Sequence, residues 1–68
     1  MSTIGVVTDT QWVSVYAYPK LGSEIVCRIP AFTEVEIDEE ESTDKFYKIF
    51  TETSIEGYCA RKYIAVPL

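Results

Sequence analysis

Apolar and polar residues alternate along several short stretches of this chain, with the period of two that is typical of β-strands. The clearest alternation covers residues 33–38, where Val35 and Ile37 share one face and acidic residues occupy the other. The same period at residues 12–17 places Val13 and Val15 on one face and the aromatic rings on the opposite face. Four further strands are predicted by composition, at residues 4–8, 25–29, 46–50 and 55–60.

No stretch shows the i, i+3, i+4 spacing of an amphipathic helix. Loops or turns are predicted at residues 18–24, which hold Pro19 and Gly22, at 30–31 and at 51–54. Five or six short strands separated by such turns predict an all-β barrel or a small sandwich. Closing the sheet protects its edges from pairing with other chains.

The length of the chain and its charge limit the possible partners. With 68 residues we expect a single domain over 1–68. The net charge is −5, and the six Lys and Arg residues are scattered along the sequence, so nucleic acid and anionic membrane surfaces are not expected partners. No apolar run reaches the ~20 residues that membrane insertion requires. Without a signal peptide, we expect a cytoplasmic protein if the chain is full-length, and an envelope or extracellular one if it is excised from a longer secreted protein.

The sequence lacks the usual components of an active site. It contains no His, and its three Gly residues are isolated, so neither a His-assisted nucleophile nor a phosphate-binding loop is expected. We therefore predict no enzyme, no catalytic residues and no cofactor. The acidic stretch 38–44 lacks the ligand spacing of an EF-hand, and weak Ca²⁺ binding there is the less favoured alternative to having no metal site. Cys27 and Cys59 are expected to be reduced and mostly buried, the alternative being a disulfide between neighbouring strands.

The order of these elements resembles the bacterial SH3-like family, often written SH3b. Residues 13–19, "VSVYAYP", are similar to the family signature Leu-Asn-Val-Arg-x-Gly-Pro, and residues 46–49, "FYKI", to its Trp-Tyr-Lys-Val strand. Residues 56–64, "EGYCARKYI", resemble the closing Gly-Trp-Val-x-x-x-Tyr-Leu. The resemblance extends over about residues 4–66, and the joint order of these motifs carries it.

The resemblance implies a bent antiparallel SH3-like barrel of five or six strands, with a short 3₁₀ turn near residues 60–63. Where the family has a Gly in its central turn this chain has Phe32, so we expect that turn not to need a positive φ. The implied core consists of Val15, Ile25, Cys27 or Val26, Ile29, Val35, Ile37, Tyr47, Ile49 and Ala60.

An aromatic groove is the candidate binding site. SH3-like domains typically place tyrosines after the first long strand close to the Tyr of the 3₁₀ turn, which here implies Tyr16, Tyr18 and Tyr63, with Phe46 at the rim. Strand alternation also points Trp12 outward. Acidic residues at 38–44 would flank such a groove and favour a positively charged ligand. In the alternative interpretation Trp12 closes one end of the barrel and the tyrosines pack under neighbouring loops.

Two functions remain open from the sequence. The first is a non-catalytic binding module that recognises a peptide, a peptidoglycan-type ligand of the cell wall or a partner protein. The second is a small structural or assembly subunit, associated with a phage or an envelope, that uses the barrel for protein–protein packing. Neither interpretation names the ligand or the oligomeric state.

Overall fold

The computed structural model of the protein describes residues 3–67. Met1, Ser2 and Leu68, which the predicted domain 1–68 includes, lie outside the described residues. Within the described residues the only helical element is one 3₁₀ turn, Arg61–Tyr63, as the resemblance implied. The strands are β1 (Thr3–Val7), β2 (Trp12–Tyr16), β3 (Ile25–Pro30), β4 (Glu34–Asp38), β5 (Phe46–Phe50), β6 (Glu56–Ala60) and β7 (Ile64–Ala65).

The strands form one antiparallel sheet in the order β3-β2-β6-β5-β4-β1-β7, which confirms the all-β SH3-like fold. Residues 3–67 form seven strands, so the predicted number of five or six is wrong. The additional strand is β7, whose two residues pair with Val6 and Val7 of β1. Two residues are too few to show an alternating pattern, so this strand is defined by its hydrogen-bonded partner.

The core forms where the inward faces of the strands meet. Val15, Val35, Ile37 and Ile49 are each at most 2% exposed, because they occupy the apolar positions of the period-two pattern. The register pairs Ile37 directly with Ile49 across β4 and β5. Cys59, on β6, is also completely buried in this cluster.

The first part of β3 departs from the predicted core. Ile25 is 43% exposed, so its placement in the core is wrong. Of the two alternatives Cys27 and Val26, Cys27 is partly buried and packs against the core, whereas Val26 is 45% exposed. The register between β2 and β3 shifts between Val15 and Tyr16. Since β3 is also an edge strand, its first residues have a neighbouring strand on one side only. Of the other predicted core residues Ile29 is buried, Tyr47 packs against the core while partly exposed, and Ala60 is half-buried.

Phe32 adopts a positive φ of 68°, so the expectation for this turn is wrong. The turn joins β3 to β4 within three residues, and two hydrogen bonds fix its shape. The Phe32 amide donates to the Val7 carbonyl at 2.8 Å, and the Thr33 hydroxyl donates to the Pro30 carbonyl at 2.8 Å. The backbone therefore keeps the left-handed conformation that favours Gly, although an aromatic residue occupies the position.

No helix among residues 3–67 has the length and hydrophobicity that a transmembrane span requires.

Candidate functional site

A groove of about 570 Å³ opens beside the 3₁₀ turn. The end of β2 and the start of β5 contribute to it, and the loops before β3 and before β5 border it. The 3₁₀ turn brings three consecutive side chains to the same place. The lining residues are Tyr16, Leu21, Asp44, Lys45, Phe46, Ala60, Arg61, Lys62 and Tyr63.

Arg61 attaches the 39–45 loop to the 3₁₀ turn. Its Nε donates a hydrogen bond to the Thr43 carbonyl at 2.7 Å, and its backbone amide donates to the Lys45 carbonyl at 3.0 Å. Its guanidinium carbon also lies 4.3 Å from the centroid of the Tyr47 ring, within the range of a cation–π interaction. The guanidinium is thus held by contacts within the chain, and it fixes one wall of the groove.

Thr43 closes the same loop onto β5. Its amide donates to the Phe46 carbonyl at 2.8 Å, and its hydroxyl accepts a hydrogen bond from the Phe46 amide at 3.2 Å. Both bonds join the loop to the first residue of β5, so they set where Phe46 enters the sheet. The polar composition of this loop, which at first indicates only a solvated connector, therefore also provides the side chain that closes it.

The aromatic part of the groove is built around Tyr16 and Phe46. Their ring centroids are 6.1 Å apart, and the ring planes are nearly perpendicular at 88°. Edge-to-face pairs of this kind are favourable beyond the area they bury. Phe46 is only 6% exposed, so it forms the floor of the groove and not the predicted rim, whereas Tyr16 is half-buried. Tyr63 completes the set from the 3₁₀ turn and is also half-buried.

Three of the five candidate ligand-binding residues therefore lie together, namely Tyr16, Phe46 and Tyr63. Tyr18 and Trp12 do not line this groove and are 63% and 59% exposed. Trp12 begins β2 and pairs with Pro30, at the opposite end of that strand from Tyr16. A ligand-binding role for all five residues stays a prediction, and the geometry favours the first three.

The basic residues of the groove were missed by the sequence reasoning. Of the acidic residues at 38–44 only Asp44 is in the lining, whereas Lys45, Arg61 and Lys62 all contribute to it. The lining therefore does not support the expectation that acidic residues at 38–44 favour a positively charged ligand, because three cations there outnumber one carboxylate. The pair Arg61-Lys62, directly before the candidate Tyr63, is the signal in the sequence that predicts positive charge at this site.

The two thiols lie outside the lining of the groove and are not disulfide-bonded. Burial raises the pKa of the Cys59 thiol to about 12 and also raises the pKa of Cys27. A thiol that keeps its proton is a poor nucleophile and a poor metal ligand. Among residues 3–67, no three His, Cys, Asp or Glu side chains come close enough together to hold a metal ion.

The sequence matches one known protein family. The profile of the bacterial SH3 domain matches residues 10–65, which is most of its length. The chain belongs to the bacterial SH3 domain family. Members of this family are generally non-catalytic binding modules, and binding by an SH3-type domain implies a protein or peptide partner. No curated protein and no solved structure matches the chain.

Proposed function

We propose that this bacterial SH3 domain is a binding module whose groove holds an extended peptide, either a peptide of the cell wall or a segment of a partner protein. The observation that carries the proposal is the convergence of Tyr16, Phe46 and Tyr63 on one open groove. Rings held in a folded scaffold lose little conformational entropy when a ligand binds. A tyrosine also offers a hydroxyl for hydrogen bonding next to its apolar face, which suits a peptide backbone.

The dimensions of the groove support a peptide segment. Its volume of about 570 Å³ lies within the ~300–1,000 Å³ typical of ligand sites. Leu21 stands at its margin with 75% of its surface exposed, so an apolar group is available for contact at little cost to the fold. The wall that Arg61 and Thr43 build is already hydrogen-bonded, so a ligand meets a preformed surface on that side.

An assembly subunit is the second candidate function. Its support is a different set of exposed apolar side chains, away from the groove: Trp12 at 59%, Val26 at 45% and Phe32 at 82%. They lie on β2, on the edge strand β3 and in the turn that follows β3. Exposed apolar residues on an edge strand favour contacts with another protein.

Chemical-shift titration of the ¹⁵N-labelled chain separates the two functions. We expect muropeptides or a panel of proline-rich peptides to shift the amide resonances of Tyr16, Leu21, Phe46 and Tyr63. Leu21→Ser is then expected to weaken binding, whereas Ile55→Ser serves as the control, since both are exposed apolar side chains and only Leu21 lines the groove. Shifts confined to the surroundings of Trp12 and Phe32, together with a dimer in sedimentation, contradict the peptide-binding proposal and favour assembly.

A further inference from the structure

The groove carries the opposite charge to the rest of the chain. Lys45, Arg61 and Lys62 line it together with one carboxylate, Asp44, so the formal charge of the lining is +2. The whole chain has a net charge of −5. A fourth cation, Lys20, lines a neighbouring depression of about 490 Å³ that shares its border with the groove. Four of the six basic residues are therefore concentrated in one region of an acidic protein.

The cations of the groove are not equivalent. Arg61 is held by the Thr43 carbonyl and by the Tyr47 ring, so its role is largely to build the wall. Lys45 and Lys62 are exposed, and the Lys62 ammonium lies 5.1 Å from the centroid of the Tyr63 ring. An ammonium at that distance from an aromatic ring places positive charge directly beside the apolar surface. The two lysines are thus available to an incoming anionic group.

We infer that the groove selects peptides in which a carboxylate side chain lies next to an aromatic or apolar residue. This inference rests on the proposed function and adds the chemical class of the ligand. The aromatic or apolar residue contacts Tyr16 and Phe46, while the carboxylate pairs with Lys45 or Lys62. At physiological salt, charges farther apart than ~8 Å are largely screened, so the ligand carboxylate must lie close to one of the two lysines to gain from this pairing.

The same chemistry admits one alternative occupant. Residues 39–41 of this chain are three consecutive glutamates, and the structure exposes all of them. A second copy of the chain therefore carries an acidic segment of its own. We favour a separate peptide, because a glutamate run lacks the adjacent aromatic residue that the rings of the groove accommodate.

Three peptides that differ only in charge test the inference. Each is a capped, fluorescently labelled octapeptide of alternating Tyr, Ala and charged positions, with Glu in the first, Gln in the second and Lys in the third. Fluorescence anisotropy at low and at moderate salt gives their affinities for the intact chain. We expect the order Glu, Gln, Lys, with the Glu peptide binding about fivefold or more tightly than the Gln peptide at low salt and this advantage shrinking as salt is added.

Lysine variants test which cations pair with the ligand carboxylate. Lys45→Gln and Lys62→Gln are each expected to weaken binding of the Glu peptide about two- to fivefold, which is the range of an exposed ion pair. Neither substitution should change the affinity for the Gln peptide. Lys48→Gln is the matched control, because Lys48 lies over the rings of Phe50 and Tyr58 and not in the groove lining.

The outcomes distinguish this inference from the function it deepens. Equal binding of the Glu and Gln peptides, with resonances of the groove shifted by both, overturns the selectivity and leaves peptide binding intact. A preference for the Lys peptide also overturns the selectivity. Both proposals fail if the amide resonances of the groove residues do not shift with any of the three peptides, with muropeptides or with proline-rich peptides. Self-association that weakens with Lys62→Gln overturns the separate peptide and assigns the groove to residues 39–41 of a second copy.

Discussion

The rings of Tyr16 and Phe46 meet at 88°, with their centroids 6.1 Å apart, and so join the end of β2 to the start of β5. Tyr16 also pairs with Tyr58 of β6 in the backbone ladder. One half-buried tyrosine therefore supports the fold and presents part of its surface to the groove. Substituting a residue with both roles lowers the stability of the protein and its affinity for a ligand together. Loss of binding by a Tyr16 variant must therefore be compared with its loss of stability.

Tyr16→Ser and Tyr18→Ser should differ in their effect on stability. Tyr16→Ser removes the edge-to-face pair and part of the buried area, so we expect a loss of ~1–3 kcal/mol in the free energy of unfolding. Tyr18 is 63% exposed, and its substitution should change stability by less than ~0.5 kcal/mol. Urea denaturation of the two variants checks the prediction. Equal midpoints would mean that the contact between Tyr16 and Phe46 contributes little.

Ile37→Ala and Glu36→Ala test the register of β4. The Ile37 side chain is completely buried against Ile49, so its truncation should cost ~2–5 kcal/mol through lost burial and a cavity. Glu36 is exposed on the other face, and its loss should change stability by less than ~0.5 kcal/mol. Thermal or chemical denaturation gives both values. A larger loss for Glu36→Ala is the result that contradicts the register.

The alternation of apolar residues predicts most of the strands, because the period of two reports directly on which face is buried. It is reliable in β4, where acidic residues alternate with Val35 and Ile37, and in β2, where the buried residues are Val13 and Val15 as predicted. It is not reliable in β3, where Ile25 and Val26 are both apolar, both exposed, and lie opposite the register shift between β2 and β3. A register shift depends on the partner strand, so the local pattern alone does not predict it.

The candidate site was predictable in its aromatic part and not in its charge. Tyr16 and Tyr63 lie in segments that resemble motifs of the bacterial SH3 family, and the typical placement of tyrosines in SH3-like domains predicts that they lie close together. The positions of Lys45 and Arg61 depend on how the 39–45 loop folds against the 3₁₀ turn, through the hydrogen bond between Arg61 Nε and the Thr43 carbonyl. That contact joins residues 18 positions apart, which no local pattern reveals.

The Cys59 thiol should make stability depend on alkaline pH. Burial raises its pKa from 9.0 to about 12, so above pH 9 the unfolded chain loses a proton that the folded chain retains. The thiol's contribution to stability is complete below pH 9 and is lost as the pH rises from 9 to about 12, by ~1.4 kcal/mol per pH unit.

Comparison with Cys59→Ala isolates this effect, because the two proteins differ in this one group only. We expect the stability difference between wild type and variant to be constant from pH 7 to 8.5 and to move in favour of the variant between pH 9 and 10. Parallel curves across that interval contradict the assignment. In the native protein at pH 8, alkylation should modify the half-buried Cys27 well before the fully buried Cys59.

Phe32 offers a way to stabilise the domain. Its φ of 68° lies in the left-handed region, which costs a residue with a Cβ roughly 1–2 kcal/mol relative to Gly. Its ring is 82% exposed, so removing it sacrifices little packing. Gly is more flexible in the unfolded chain, which offsets part of the gain, and we expect Phe32→Gly to stabilise the protein by ~0.5–1 kcal/mol.

Phe32→Ala is the matched control, because it removes the ring and keeps the backbone strain, and its free energy of unfolding should stay within ~0.5 kcal/mol of wild type. Urea denaturation midpoints decide between these expectations. If Phe32→Ala and Phe32→Gly both fall below wild type by more than 1 kcal/mol, the ring itself contributes to stability, and relief of backbone strain at this turn is not the controlling effect.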